Sequence, residues 1–180
     1  PRFGPALRRA GGVPASMTNA ERALDRDAAV LVFPGGDHEA FRPWWHRGRV
    51  DLAGRTGFLR LAIRRGVPVV PIVCHGNHDT TLVLTRGERM ARWLHLHRLR
   101  SEAFPLVFGL PWGVAPGFMP IVPLPARITV QVLPPLDWSG LGPDAADDED
   151  VVMQCYEELS AKMQVTLDSL VAERPLPWFA

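Results

Sequence analysis

Apolar residues recur along the chain in patterns that predict distinct elements. Ala28-Ala29-Val30-Leu31-Val32-Phe33 is an unbroken apolar run closed by Pro34-Gly35-Gly36, the pattern of a strand buried on both faces. From Thr56 to Arg65, Phe58, Leu59, Ala62 and Ile63 fall at helical spacing and Gly66 supplies the stop. Val67 to Cys74 reads as a second buried strand. Its Pro68 and Pro71 lack ladder donors and predict an edge position or an irregular ladder. Arg127 to Leu133 alternates Ile128, Val130 and Val132 with Thr129 and Gln131, as a half-buried strand does. Val152, Cys155, Tyr156, Leu159, Met163, Leu167, Leu170 and Val171 then form one helical stripe, read as core packing, in a long helix to about Glu173 that Pro175 ends. Asp147-Asp148-Glu149-Asp150 places negative charge where that helix begins. Thr18-Asn19-Ala20-Glu21 has capping-box spacing and predicts a short helix to about Arg26. Gly4, Pro5, Gly11, Gly12 and Pro14 make residues 1 to 15 loop or strand edge.

Strand, loop, helix and strand in succession form a βαβ crossover. The expected class is therefore α/β, with a mixed, largely parallel sheet flanked by helices. A chain of 180 residues and 19.9 kDa accommodates one domain with a real core, or a large piece of one. Hydrophobic residues at 47% and charged residues at 22% exclude a disordered tail. Two cysteines, Cys74 and Cys155, exclude a disulfide framework and a four-cysteine zinc site. The formal net charge of +1 argues against a nucleic-acid binder. It conceals an asymmetry: residues 1–100 hold 17 Arg against 8 acids, and residues 101–180 hold 3 basic residues against 11 acids. A GC-rich genome explains much of that arginine, and an Arg-rich surface meeting phosphate is the compatible sharper reading.

Three stretches invite chemistry. In Phe33-Pro34-Gly35-Gly36-Asp37-His38-Glu39-Ala40-Phe41-Arg42, a glycine pair follows directly on a strand, where α/β folds place their sites and backbone N–H groups can turn to a ligand. A tight turn with solvated charges is the plain alternative. The other two are Gly11-Gly12-Val13-Pro14-Ala15-Ser16, and Gly57-Phe58-Leu59-Arg60-Leu61-Ala62 feeding Val67-Pro68-Val69-Val70-Pro71. Taken in this order, the three blocks resemble the lysophospholipid acyltransferase superfamily, in the branch nearest the mono- and diacylglycerol acyltransferases. Gly12 to Ser16 with Asn19-Ala20 resembles that family's second conserved block, Phe33 to Glu39 its acceptor-binding third block, and Gly57 to Pro71 its fourth. The similarity covers roughly residues 8 to 140.

The resemblance implies transfer of a fatty acyl group from acyl-CoA, or acyl carrier protein, to a lipid hydroxyl in glycerolipid or phospholipid synthesis. Acyl-CoA would be a co-substrate, with no cofactor and no metal. Gly35, Gly36, His38, Glu39 and Arg42 would bind the acceptor, a lipid alcohol or lysophospholipid, and Ser16 and Arg60 would meet the acyl donor or a headgroup. The family's general base lies in an Asn-His-x4-Asp box ahead of the second block, and no such box precedes Gly12. The resemblance therefore implies the C-terminal part of a longer enzyme, with this chain inactive alone. Many relatives carry Arg where His38 stands. Arginine binds an anion bidentately at any pH, so the histidine leaves room for a neutral alcohol. His46 and Asp51 have His-x4-Asp spacing, but they follow the glycine loop and read first as two surface residues. His75, His78 and Asp79 read as lining the site mouth rather than as metal ligands. His95 and His97 are assigned no chemistry.

One domain is expected in three parts: residues 1–85 as the site-bearing core, 86–125 as a membrane-facing segment, and 126–180 as a strand and terminal helix. Residues 86–100 combine Arg86, Arg89, Arg92, Arg98 and Arg100 with Met90, Trp93, Leu94, Leu96 and Leu99, a basic face opposite an apolar one. Ala103 to Pro125 then runs 23 residues without a charge, and its six prolines exclude a spanning helix. Arg89, Arg92, Trp93, Phe108 and Trp112 are expected to face the bilayer, giving peripheral, monotopic attachment on the cytoplasmic side. Two rival functions carry different expectations: an inactive membrane-binding fragment, and a soluble phosphate-loop hydrolase using the glycine loop with His75 and His78.

Overall fold

The structure, a computed structural model, describes residues 16–93 and 103–174. The expectations for Gly12 to Ala15, for His95, His97 and the second half of the basic stretch, and for Pro175 lie outside those residues. Helix α1 spans Met17–Leu24, two positions earlier than the capping box implies. Ser16 is its cap and accepts from the Asn19 amide at 3.3 Å. Helix α2 is the short turn Gly36–Ala40, and α3 is Gly57–Arg65. Gly66 closes α3 at φ 60, a left-handed position glycine adopts without a Cβ clash. Strand β1 is Ile72–His75, β2 is Leu82–Thr85, and α4 is Glu88–Trp93. Strands β3, Leu106–Gly109, and β4, Gly113–Pro116, precede β5, Thr129–Val132. Helix α5 runs Glu149–Glu173, and the Asp148 carboxylate accepts from the Asp150 and Val151 amides at its start.

The sheets overturn the largely parallel expectation. β1 pairs antiparallel with β5, Ile72 opposite Val132 and Cys74 opposite Val130. β2, β3 and β4 form a separate antiparallel meander, with Val83 opposite Val107 and Val107 opposite Ala115. The crossover is missing because residues 28–33 join no ladder among the described residues: Leu31 is 70% and Phe33 76% exposed. β1 instead finds its partner far along the chain. Pro68 and Pro71 leave only the Val69–Leu136 bridge and Pro71 C=O, which accepts from Leu133 N at 2.9 Å, to extend the pairing toward α3.

The core lies between α3, β1 and α5. Leu59 and Ile63 of α3 meet Val152, Cys155 and Leu159 of α5, with Leu52, Leu136 and Ala146 filling between them. Val73 points inward from β1 onto Leu167 and Leu170, beside Leu133. The meander buries Val83, Val107 and Ala115 on one face and turns Phe108 and Val114 outward, as a period of two requires. Leu59→Ala is expected to lower stability by about 2–5 kcal/mol through lost burial and an unfilled cavity. A urea midpoint that falls with unchanged slope is the check.

Candidate functional site

The glycine loop is built from its own side chains. Gly36 sits at φ +52, and its amide donates to Phe33 C=O at 3.1 Å. Arg55 covers that face, donating to Pro34 C=O at 2.9 Å and to Asp37 Oδ1 at 3.2 Å. That pairing holds the Asp37 carboxyl below its ordinary range. Gly35 is buried because Glu39 folds back under it: a Cβ there would stand 2.5 Å from Glu39 Oε2 and 3.0 Å from Asp51 C=O. These glycines therefore permit close packing, and the Gly36 amide is not presented to a ligand as the sequence pattern implied. A phosphate-cradling hydrolase loses its central support.

What the loop assembles is a polar cluster. Arg42 is buried, donates to Arg49 C=O and stands 3.5 Å from Glu39 Oε1. Burial raises the Glu39 carboxyl above its usual range and outweighs the pull of Arg42. His38 Nδ1 lies 3.1 Å from Asp51 Oδ2, while Asp51 Oδ1 accepts from Ala53 N at 2.9 Å. The 48–54 loop carrying Asp51 is fastened to α5 at three points. Gln164 Oε1 accepts from Val50 N at 2.8 Å, Gln164 Nε2 donates to Gly48 C=O at 2.9 Å, and Tyr156 Oη accepts from Gly54 N at 3.2 Å.

Behind the cluster, Asp79 is 1% exposed. Its Oδ1 accepts from Trp44 Nε1 at 2.8 Å and stands 3.5 Å from Arg47 Nε, whose guanidinium lies 3.8 Å over the Trp44 ring. This tie joins the turn Trp44–His46 to the segment leading into β2. His75, His78 and Asp79 are buried and do not line an open mouth. Burial, reinforced by Arg42, pushes the His78 imidazole down to about 4 against the opposing effect of Asp79. Among the described residues no group of three His, Cys, Asp or Glu side chains is placed to hold a metal ion.

Several expected residues stand elsewhere in function. His46 is exposed with its ring edge-on to Trp45, and Asp51 meets His38 instead. Arg60 donates to Ala146 C=O at 2.8 Å and pairs with Glu149, so its guanidinium ties α3 to the start of α5. The Ser16 hydroxyl caps α1. Arg89, Arg92, Trp93, Phe108 and Trp112 are all exposed, joined by Leu110, Val114, Phe118 and Val122. No helix among the described residues is long and apolar enough to cross a membrane. Sequence reasoning missed the Trp44–Asp79 tie, which spans 35 positions, and the hold of Gln164 on Val50 and Gly48, 114 and 116 positions away. No local signal marks them.

Around the Pro-Gly-Gly turn the buried Arg42 meets a half-exposed Glu39, and His38 meets Asp51, while exposed aromatics stand on the separate β2–β4 meander. The sequence model of the diacylglycerol acyltransferase family matches residues 6–134, and the chain belongs to that family. An uncharacterised protein of Mycobacterium tuberculosis is 28% identical over 180 residues, covering 97% of this chain and 46% of its own length. Phytyl ester synthase 1 of Arabidopsis thaliana is 27% identical, covering 96% of this chain and 26% of its own. Human 2-acylglycerol O-acyltransferase 3 is 30% identical over 118 residues, covering 56% of this chain and 34% of its own. The chain thus spans less than half the length of these curated relatives. No solved structure matches.

Two outcomes follow from the geometry. Gln164→Ala removes both amide contacts to the 48–54 loop, and the loss of paired groups predicts a stability decrease of about 1–3 kcal/mol, read in denaturant unfolding. His78 is held neutral in the fold but takes a proton in the unfolded chain below its ordinary pKa. Its contribution to stability is intact above about pH 6.5 and falls as pH drops toward about 4. His78→Gln should flatten that acid loss, by about 3 kcal/mol at full extent, in urea unfolding across the same window.

Proposed function

We propose that this chain is the acceptor-binding part of an acyltransferase that moves a fatty acyl group from acyl-CoA, or acyl carrier protein, to a lipid hydroxyl. The observation that carries the reading is the convergence of His38, Glu39, Arg42 and Asp51 at the Gly35-Gly36 turn, inside the stretch matched by the family. The resemblance to lysophospholipid acyltransferases, on the same blocks, supports a place in that wider superfamily. The relatives named for phytyl ester synthesis and 2-acylglycerol acylation support an ester product from a lipid alcohol.

The chemistry favours a neutral acceptor. Glu39 and Asp51 are the carboxylates beside the turn, and Arg42 is already engaged with Glu39 and Arg49. A phosphorylated lipid would find Arg42 and Arg55 already paired with Glu39 and Asp37, and the Asp51 carboxylate beside them. The acceptor arrives from a bilayer surface: Phe108, Leu110, Trp112, Val114 and Phe118 form an exposed apolar face on the meander, with Arg89 and Arg92 exposed on α4. Aromatic and aliphatic side chains enter the headgroup boundary while arginines remain with anionic lipid. Attachment is peripheral, from the cytoplasmic side.

The full-length protein carrying this chain should transfer labelled acyl groups from acyl-CoA to neutral long-chain alcohols or acylglycerols in preference to phosphorylated lysolipids. Glu39→Gln should raise the KM for the alcohol about tenfold, the loss of one charged hydrogen-bonding group. The same protein should float with vesicles containing anionic lipid and detach as salt rises. A protein that stays in solution and hydrolyses phosphoesters overturns the reading.

A further inference from the structure

Strand β5 turns its apolar side away from the helix that covers the sheet. Gln131 lies directly opposite Val73 and Thr129 opposite His75, and directly opposed side chains share a face. Val73 is buried on Leu167 and Leu170 of α5, so the polar residues of β5 are on the helix side. The apolar set points outward: Val130 opposes Cys74, Val132 opposes Ile72, and all four are exposed. Val70 and Ile128 continue the two alternations and are exposed as well. An alternating strand is stable with its apolar side covered, and β1 is apolar on both sides. These two strands specify cover on both faces, and α5 supplies one.

A second unpartnered element reaches the same strand. Residues 28–33 carry the apolar run of a strand buried on both faces, join no ladder among the described residues, and lead directly into the Gly35-Gly36 turn. Desolvation, and then the Glu39 carboxylate, raise the Cys74 thiol above its usual range, which sets that turn beside the end of β1. β1 pairs with β5 alone among the described residues, so its other edge carries unpaired backbone groups. A two-stranded sheet with an open edge and an open apolar face is a marginal unit by itself.

We propose that the outward face of the β1–β5 sheet, together with the run 28–33, is the docking surface for polypeptide of the same full-length protein outside these 180 residues. That polypeptide lays an apolar helical face over Ile72, Cys74, Val130 and Val132 and gives residues 28–33 their backbone partners. The relatives supply the length for it: more than half of each lies outside the stretch shared with this chain. The patch is also unlike the lipid-facing meander. Its members are aliphatic apart from Cys74, whereas Phe108, Trp112 and Phe118 are the exposed aromatics that suit a headgroup boundary. β-branched side chains on a strand suit a packed helix instead, with contacts at helical spacing.

The test uses the full-length protein, dilute and without vesicles, and needs no acyl transfer. Mass spectrometry follows alkylation of Cys74, with the buried Cys155 as the protected reference, and hydrogen exchange of the 28–33 amides. Cys74 should label at least about 100-fold more slowly than in the urea-unfolded protein, and the amides should be protected. Val132→Thr keeps the β-branched shape but buries a hydroxyl, and should lower Tm by about 2–4 °C. Val165→Thr, on the exposed side of α5, should leave Tm unchanged. Cys74 labelling at the unfolded rate, or 28–33 amides that exchange without protection, overturns the proposal whether or not the variants fold. Protection that arises only with anionic vesicles assigns the face to lipid, and protection lost on dilution together with a dimer assigns it to a second copy; either result overturns it. All of these outcomes leave the acyl-transfer reading standing, since acyl transfer is measured separately.

Discussion

The seam between α3 and α5 sets the frame in which every candidate site residue stands. Leu59 and Val152 are fully buried across it, with Ile63 and Leu159 alongside. Because α5 is fixed there, its Tyr156 and Gln164 can reach over and hold the 48–54 loop by backbone groups. That loop has no ladder to stiffen it, and Ala53 and Gly54 both adopt positive φ. Side-chain amide and hydroxyl contacts therefore take the place of secondary structure. The placement of Asp51 is an outcome of core packing some distance away.

The opposite charges of the two halves of the chain meet at the same seam. Arg60 and Arg64 of α3 reach Ala146 C=O, Asp147 and Glu149, and Arg65 reaches Asp25. Exposed pairs of this kind add little net stability. They do select an orientation, since reversing α3 would set its arginines against apolar surface. Arg60, Arg64 and Arg65, three of the 17 arginines of residues 1–100 that invited a phosphate reading, are accounted for by these contacts, whereas Arg89 and Arg92 remain exposed on α4.

The helices were legible from the chain because their signals are local. A helical stripe with Gly66 as terminator gives α3, and the acidic run before Val151 gives the start of α5. Sheet topology was not, because strand partners are chosen over long separations. Residues 28–33 and 67–74 carry similar local patterns, yet only part of the second enters a ladder, and its partner is β5. The site shows the same division. The glycine loop was found by composition, and the resemblance placed it in a family later matched over residues 6–134. Asp51 reads with His46 as a surface residue, and its approach to His38 escapes the sequence because spacing alone cannot report how a loop folds back. Asp79 looked like a mouth residue because polarity suggests exposure, whereas its Oδ1 is engaged in the interior by the Trp44 indole and Arg47.

The unpaired run from Ala28 to Phe33 has a consequence for the physical behaviour of the polypeptide. Six uncharged residues, several β-prone, lie outside any helix or ladder with Leu31, Val32 and Phe33 open to solvent, which is the composition of a segment that stacks into cross-β fibrils. Asp25, Arg26 and Asp27 on one side and Pro34 on the other bracket it as gatekeepers. With that run left open to solvent, its flanking charges and Pro34 are the features that oppose intermolecular stacking there.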